Sequence, residues 1–499
     1  MNRREFIRLV GAVTAGAIGE FFIPSSLLGK EKRGRFNPDV EIQLSAVEDS
    51  VEIFNGKKTN VWRYRGKLIK GPSGSVENLD SYLGPVIRVK RGDKVRVIFR
   101  NDIPDKTIVH WHGLHVPERA DGHPRSVIGR GDTYIYEFEV KNRAGTYWFH
   151  PHPHGRTGPQ VYFGLAGLFL ITDDEEQRLD LPEGEDDIPL VIQDRTFDRE
   201  GQLVYLTHPM QRMMGFLGNE ILVNGRPDYT LELGTSAYRL RILNGSNSRI
   251  YKLAWSDGRP ITVIATDGGL LQVPTTRDYV MLGPAERVDV WLDLSDKKIG
   301  DTVILRSLEF EGAGMFGMMR RMGLPNGSDF DILRIRVTHK RKNPYRLPSR
   351  LSQVKFFDPE EAVNIKNPRT FVFEMMRMQP TINGRTFSMT GVARDEIVHL
   401  NTVEVWKFVN SRYGMQMPHP VHVHDVQFQI INRTPSSYGW ETIKDGFVDG
   451  GWKDTILLMP GMEAEVVMKF EDYTGLYLYH CHNLEHEDLG MMRNFLIKA

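Results

Sequence analysis

The stretch that most restricts what this chain can become is Tyr479-His480-Cys481-His482-Asn483-Leu484-Glu485-His486-Glu487-Asp488-Leu489-Gly490-Met491, which holds the sole cysteine of 499 residues. In an extended backbone successive side chains point to opposite faces, so His480 and His482 share one face and Cys481 takes the other. One strand can then serve two chemical centres. On the Cys481 side, a thiolate, the His486 imidazole and the Met491 thioether are three of the four donors of a blue electron-transfer copper, which takes two imidazoles, one thiolate and a weak axial thioether. On the other side, two imidazoles can hold further metal, and electrons gain a short covalent route between the centres. A single cysteine flanked by histidine is more often an inert buried thiol, so the rest of the chain has to decide.

Three more His-x-His pairs favour metal: His110-Trp111-His112, His150-Pro151-His152, and His422-Val423-His424 with His419 three residues ahead. With His115 and His154 added, twelve of the 16 histidines fall in four short clusters. A His-x-His pair on a strand sets both rings on one face, about 6.6 to 6.8 Å apart along the backbone, close enough to ligate neighbouring ions. His123, His208, His339 and His399 belong to no such pattern and carry no assignment.

From Val40 onward, short β-branched and aromatic runs alternate with Gly, Pro, Asn and Asp, and no helical period is sustained, which predicts β-sandwiches. Residues 131–138, 284–291 and 460–467 repeat one theme, a turn leading into an alternating strand, and each is followed by a Gly-led strand at residues 145–150, 300–305 and 475–480. The repeating unit is a domain. Five residues past the glycine stand His150 and His480 in the outer copies but Leu305 in the middle one, so the middle copy is expected to lack metal ligands and to act as a spacer. An acidic connector at 173–187 and a basic, proline-bearing one at 340–348 divide the chain into domains at 38–174, 175–340 and 341–499.

Ahead of these, Arg3-Arg4 followed by a mostly apolar run from Leu9 to Ile23 matches a twin-arginine export leader over residues 1–30, and the run is too short and interrupted to predict a membrane span. A periplasmic or otherwise exported protein is expected, with no stable membrane association after export. Export of folded protein suits a fold that holds metal. Lys+Arg and Asp+Glu both number 64, which leaves no charge excess for a nucleic-acid partner and favours a small substrate. A monomer is expected.

HWHG at 110–113, FHPHPHG at 149–155, HPVHVH at 419–424 and HCHxxxHxxxxM at 480–491 stand in the order and spacing of the four copper motifs of the multicopper oxidases. The chain resembles that family, which includes laccases, bilirubin oxidases and bacterial cuprous oxidases, over most of its length. The resemblance implies an all-β fold of three consecutive cupredoxin-like Greek-key β-sandwich domains and four copper ions. By it, His419, Cys481, His486 and Met491 would hold the type 1 copper, His110 and His422 the type 2 copper, and His112, His150, His152, His424, His480 and His482 the type 3 pair. It also implies one-electron oxidation of substrate at the type 1 copper and four-electron reduction of O2 to water at the trinuclear cluster. Four protons are consumed, and Asp121 and Glu487 match acidic positions of bacterial members that suit a relay; the plainer alternatives are a turn-forming Asp and an outlying Glu. The ligand set is complete without His115 and His154, which are expected around it. In one departure, Asp425 follows the third motif where many members have Gly, and its carboxylate is expected to bond a ligand imidazole.

The electron donor is less constrained. Met315, Met318, Met319 and Met322 fall at i, i+3, i+4 and i+7, one face of a short helix. Such a stripe is more often packing, yet thioether sulfur prefers Cu(I). Met375, Met376, Met378, Met415 and Met417 also gather ahead of the third motif, with Met417 two residues before His419. Together with the resemblance to cuprous oxidases, these point to Cu(I) as a reductant in copper tolerance, alongside phenols and aromatic amines. The alternative is a laccase-like oxidase with an organic donor and no part in copper homeostasis. A non-catalytic exported assembly factor of the same fold is more remote, because relatives of that kind have lost copper ligands and all twelve stand here. A copper nitrite reductase would be shorter and lack the eight-histidine set.

Overall fold

The computed structural model describes residues 21–22, 36–313, 324–376 and 378–499. Strand Lys94–Asn101 shows how alternation becomes a layer: Val95, Val97, Phe99 and Asn101 are buried, while Lys94 and Arg100 face solvent. It pairs in parallel with Val40–Phe54 and antiparallel with Thr133–Glu139, and Lys57–Lys70 completes a four-stranded sheet. Facing it is a five-stranded sheet in the order Val76–Glu77, Val86–Lys90, Gly167–Thr172, Gly145–Pro151, Val109–His112. The core between them is Val95, Val97, Phe99, Tyr136, Trp111, Phe149 and Phe169 with their neighbours.

The second and third units repeat this two-layer plan. In the third, Gln379–Ile382, Arg369–Met376, Thr402–Asn410, Glu463–Phe470 and Phe428–Arg433 face Ile397–His399, Met492–Lys498, Gly475–Cys481, His419–Val423 and Thr455–Leu458. In the second, a seven-stranded sheet centred on Ala237–Asn244 and Arg287–Asp293 faces a five-stranded one centred on Thr302–Ser307. Neighbouring strands distant in sequence, such as Val86–Lys90 beside Gly167–Thr172, are Greek-key crossovers. The fold is three consecutive cupredoxin-like β-sandwiches. After His339 the chain stays against the second unit, where Arg341 pairs with Asp186 and Leu351 joins the core, and the third unit's own strands begin at Arg369.

The Gly-led strands carry the positional logic. In Gly145–Pro151, Tyr147 and Phe149 enter their own sandwich core, so Thr146, Trp148 and His150 face outward to the other units, yet every residue is buried. In Gly475–Cys481, Tyr477, Tyr479 and Cys481 enter the core and His480 faces the seam. The middle copy does not follow this register. Its strand begins at Thr302, two residues after Gly300, which turns the chain at φ +95°, and Leu305 lies in the core. Leu305 is therefore not a histidine position that lost its ligand; a one-residue offset has moved it to the other face.

The units are packed to one another through apolar surface. Tyr82, Val86, Trp148 and Leu168 of the first bury against Val191, Leu222, Leu243 and Ala285 of the second. Ile250, Met281 and Phe310 of the second join the core of the third beside Cys481 and Met491. Phe21–Phe22 pairs antiparallel with Gly391–Val392. Among the described residues no helix is long and apolar enough to cross a membrane.

Candidate metal centre

Two equivalent strand pairs build one cage. In the first sandwich Val109–His112 runs antiparallel to Gly145–Pro151 with His110 opposite His150; in the third, His419–Val423 runs antiparallel to Gly475–Cys481 with His422 opposite His480. The sandwiches meet at these faces, so that His110 stacks on His424 at 3.7 Å between ring centroids and His112 on His422 at 3.6 Å. His110, His112, His150, His152, His422, His424, His480 and His482 are all buried there.

Hydrogen bonds at the outer nitrogens settle the direction of the inner ones. His110 Nδ1 meets Asp121 O at 2.6 Å, His422 Nδ1 meets Asp454 O at 2.8 Å, His150 Nδ1 meets Pro151 O at 2.9 Å, and His480 Nδ1 meets Cys481 O at 3.1 Å. Carbonyl oxygens only accept, so these nitrogens carry the proton and the opposite ones carry lone pairs. The inward nitrogens of these and the neighbouring rings converge: His110 Nε2 and His422 Nε2 are 3.3 Å apart; His480 Nε2 is 3.3 Å from His152 Nε2 and 3.2 Å from His424 Nε2; His150 Nε2 is 3.4 Å from both His112 Nδ1 and His482 Nε2. Converging lone pairs repel unless a cation joins them. Two nitrogens bound about 2.0 Å from one tetrahedral metal stand about 3.3 Å apart, which is the spacing of these groups. Burial, reinforced in most by neighbouring imidazoles, holds every one of these rings well below its ordinary titration range, His150 at about 3 and His480 at about 4. Neutral imidazole is the ligating form.

On the other face of the Cys481 strand, His419 Nδ1 lies 3.4 Å and His486 Nδ1 3.6 Å from Cys481 Sγ. Asn483 caps the short helix Leu484–Asp488 that carries His486, and its N–H also points to Cys481 Sγ at 3.4 Å. Met491 is buried in the same core, and its carbonyl accepts from Cys481 N–H at 3.0 Å. Burial pushes the Cys481 thiol far above its ordinary range, so the thiolate belongs there only with a cation beside it. The donor set, soft sulfur with two imidazoles, fits copper.

Family profiles described as multicopper oxidase match residues 75–176 and 362–499. The multicopper oxidase mco of Staphylococcus aureus is 32% identical over 453 residues, which cover 90% of this chain and 86% of that protein. The chain belongs to the multicopper oxidases. A laccase of Bacillus subtilis (strain 168) is 30% identical over 490 residues, covering 87% of this chain and 90% of the laccase. The crystal structure of the McoA multicopper oxidase from the hyperthermophile Aquifex aeolicus superposes with a TM-score of 0.78 at 34% identity, over 93% of this chain and 97% of that one. An oxidase that uses O2 and copper is thereby given, and the donor set fits the metal the family implies.

Asp121 and Glu487 of this multicopper oxidase both touch the cage. Asp121 accepts from His424 Nδ1 at 2.8 Å through Oδ2, beside its carbonyl contact with His110. Gly122 makes that turn possible, since at φ +85° any Cβ would fall on Val109 O. Glu487 Oε2 lies 3.3 Å from His480 Nδ1, and Oε1 3.7 Å from His152 Nε2. Burial raises both carboxyls well above the usual range, helped by Asp425 at Asp121 and by Asp488 at Glu487.

Asp425 does not bond a ligand imidazole. It stands at φ +67°, a backbone state Asp tolerates where Gly is usual, and its carboxylate pairs with His115 Nδ1 at 2.9 Å. His115 Nε2 meets Asp472 at 3.0 Å; Asp472 also holds Lys141, and Tyr473 packs on the ring. Burial opposes charge on His115, but the two carboxylates override it and raise the imidazole from 6.5 to about 9. The folded protein thus binds this proton more tightly than the unfolded chain does. The stabilisation is complete below the unfolded value of about 6.5 and is lost as pH rises through about 9, for an effect of about 3 kcal/mol. Thermal melting of the wild type should fall across that window more steeply than that of His115→Gln. Equal slopes would mean that the pair is not ionised. His154 is exposed, packs on Phe387, and takes no part in the cage.

Several residues around the site escaped sequence reasoning. Glu485, between His482 and His486, accepts from Tyr205 OH at 2.7 Å, Asn247 Nδ2 at 2.8 Å and Phe216 N at 3.0 Å and bonds Ser248 Oγ, all from the middle unit. His486 Nε2 donates to Met213 O at 2.9 Å. Met213, Met375 and Met417 form a buried thioether cluster, with Met214 and Met415 packed on it. The run Pro209-Met210-Gln211-Arg212-Met213-Met214 carried the same soft-sulfur signal as the other methionines. Met315, Met318, Met319 and Met322 lie outside the described residues.

Proposed function

We propose that this oxidase holds four coppers: one with His419, Cys481, His486 and Met491; one with His110 and His422; and a pair with His112, His150, His482 and with His152, His424, His480. The observation that carries the reading is Cys481 standing between His480 and His482, its sulfur in one donor set and its two neighbours' rings in the other. Bound there, copper would supply one-electron steps on the substrate side and four-electron reduction of O2 to water on the other. The protein's part is to hold the rings neutral and aimed, and to bring protons. Asp121 and Glu487 suit the second task, because burial favours the protonated form of each carboxyl and both lie against cage imidazoles.

The donor we favour is Cu(I), with phenols and aromatic amines accepted as well, in a copper-tolerance role. The support is the thioether cluster of Met213, Met375 and Met417, joined to the blue site through the Met213 carbonyl on His486 Nε2. Met376 and Met378 continue from it to the surface, 54% and 64% exposed. With copper-loaded protein, Met213→Leu, Met375→Leu and Met417→Leu combined should raise KM for Cu(I) about tenfold, the worth of one weak ligand of about 1.4 kcal/mol, while turnover of a phenol holds. Equal loss on both donors would mean that the methionines only pack, and the laccase-like reading with an organic donor would replace this one. We further propose that the Arg3-Arg4 leader directs export to the periplasm and that the oxidase works as a monomer free of the membrane.

A further inference from the structure

From the middle domain, Arg287 reaches toward the histidine cage, fully buried at the start of strand Arg287–Asp293. Every N–H of its guanidinium has a fixed acceptor. Nε donates to Thr146 O at 2.9 Å in the first domain, Nη1 to Ala285 O at 3.1 Å and Nη2 to Asp267 O at 3.0 Å in the middle domain. The fork also grips both carboxylate oxygens of Asp454 in the third domain, at 2.7 and 2.6 Å. Residues flanking Asp454 are tied to the same place: Lys453 pairs with Asp267 at 2.9 Å and Glu286 at 3.2 Å, and Thr455 N donates to Asp267 at 3.3 Å.

What this clamp holds is His112. Its Nε2 lies 3.1 Å from Asp454 Oδ1 and 3.0 Å from Thr455 Oγ1. His112 is the exception in the cage, since it turns Nδ1 inward, toward His150, whereas the other seven rings turn Nε2 inward. An acceptor fixed at Nε2 selects the tautomer that leaves Nδ1 its lone pair. The clamp also accounts for Gly113: at φ +85°, a Cβ there would fall on Asp454 Oδ2 and come 2.9 Å from Arg287 Nη2.

We propose that Arg287 is a positioning residue for the trinuclear site: by holding Asp454 aimed at His112 Nε2, it sets the tautomer and orientation with which His112 enters the metal cage. The copper-free domain is then a working part of the site and not a spacer. This rests on the reading of the eight-histidine cage as a three-copper site, and wild-type protein that loads fewer than four coppers per chain would sink that reading by itself.

The test uses full-length protein loaded with copper, in wild-type, Arg287→Gln, Arg287→Lys, Asp454→Asn and Arg287→Gln/Asp454→Asn forms. Copper per chain, blue absorption, the type 3 absorption and copper retention against a chelator are read for each. Arg287→Gln should keep the blue absorption and weaken cage copper about 10- to 100-fold, the usual effect of losing an outer hydrogen bond to a ligand. Arg287→Lys keeps the charge but cannot fork, so it should rescue only part, and it carries the test if Arg287→Gln fails to accumulate. Because Arg287 acts through Asp454, the double variant should lose no more than Asp454→Asn alone. Cage copper held as tightly as in wild type, additive losses in the double variant, or blue and cage copper lost in step in both Arg287 variants would overturn the proposal.

Discussion

Cys481→Ser should leave the protein folded, without blue absorption, and unable to pass electrons from any donor to oxygen. The side chain is buried among Tyr477, Tyr479, Met491 and Phe495, and serine fills nearly the same space, so the core loses little. What changes is the donor. A hydroxyl is harder than a thiolate and does not ionise in that environment, so His419 and His486 are left without the soft partner that lies 3.4 and 3.6 Å from their Nδ1 atoms. The cage histidines on the opposite face keep their positions, and cage copper should load normally. Disturbing only an outer hydrogen bond of a ligand costs about 10- to 100-fold; removing the thiolate should exceed that, at roughly 1,000-fold or more in oxygen uptake. A blue, active Cys481→Ser protein would refute the assignment of Cys481.

The histidines and the cysteine that the structure brings together were legible in the sequence because each sits in a local pattern. His-x-His on a strand sets two rings on one face, and the Cys481 strand shows its two faces within three residues. Sandwich architecture was legible for the same reason, through alternation in strands such as Lys94–Asn101. What could not be read is what tertiary contact creates. Arg287 and Asp454 are 167 residues apart and lie in two domains other than that of His112, which Asp454 touches, with no spacing to announce it. Asp425 was expected at a ligand imidazole, but its carboxylate meets His115, which belongs to the first domain. Leu305 shows how fine the limit is: the glycine repeat located the strand, yet where the strand starts relative to Gly300 decided which face the residue takes. Met213 reaches His486 through its backbone carbonyl, an atom every residue has, so no residue type could mark it.

His480→Ala tests the independence of the two faces and should give the opposite phenotype to Cys481→Ser. His480 Nε2 stands between His152 Nε2 at 3.3 Å and His424 Nε2 at 3.2 Å, so its loss opens one donor group of the cage and leaves that of His112, His150 and His482. The strand itself should hold. His480 pairs through its backbone with His422 and Met492, contacts that alanine retains, and Cys481 N–H still donates to Met491 O. Blue absorption should therefore persist and bleach when a reductant is added. Oxygen uptake should fall by at least about 100-fold, since a ligand is worth no less than its outer hydrogen bond, and the blue colour should then fail to return in air. Glu487 would lose the imidazole beside it in the same change. His482→Ala would open the other donor group instead and should give the same bleached, oxygen-insensitive blue site. If either variant lost its blue colour before reduction, the alternating faces of the Cys481 strand would not be separable, and electron entry and oxygen reduction could not be assigned to opposite sides of one strand.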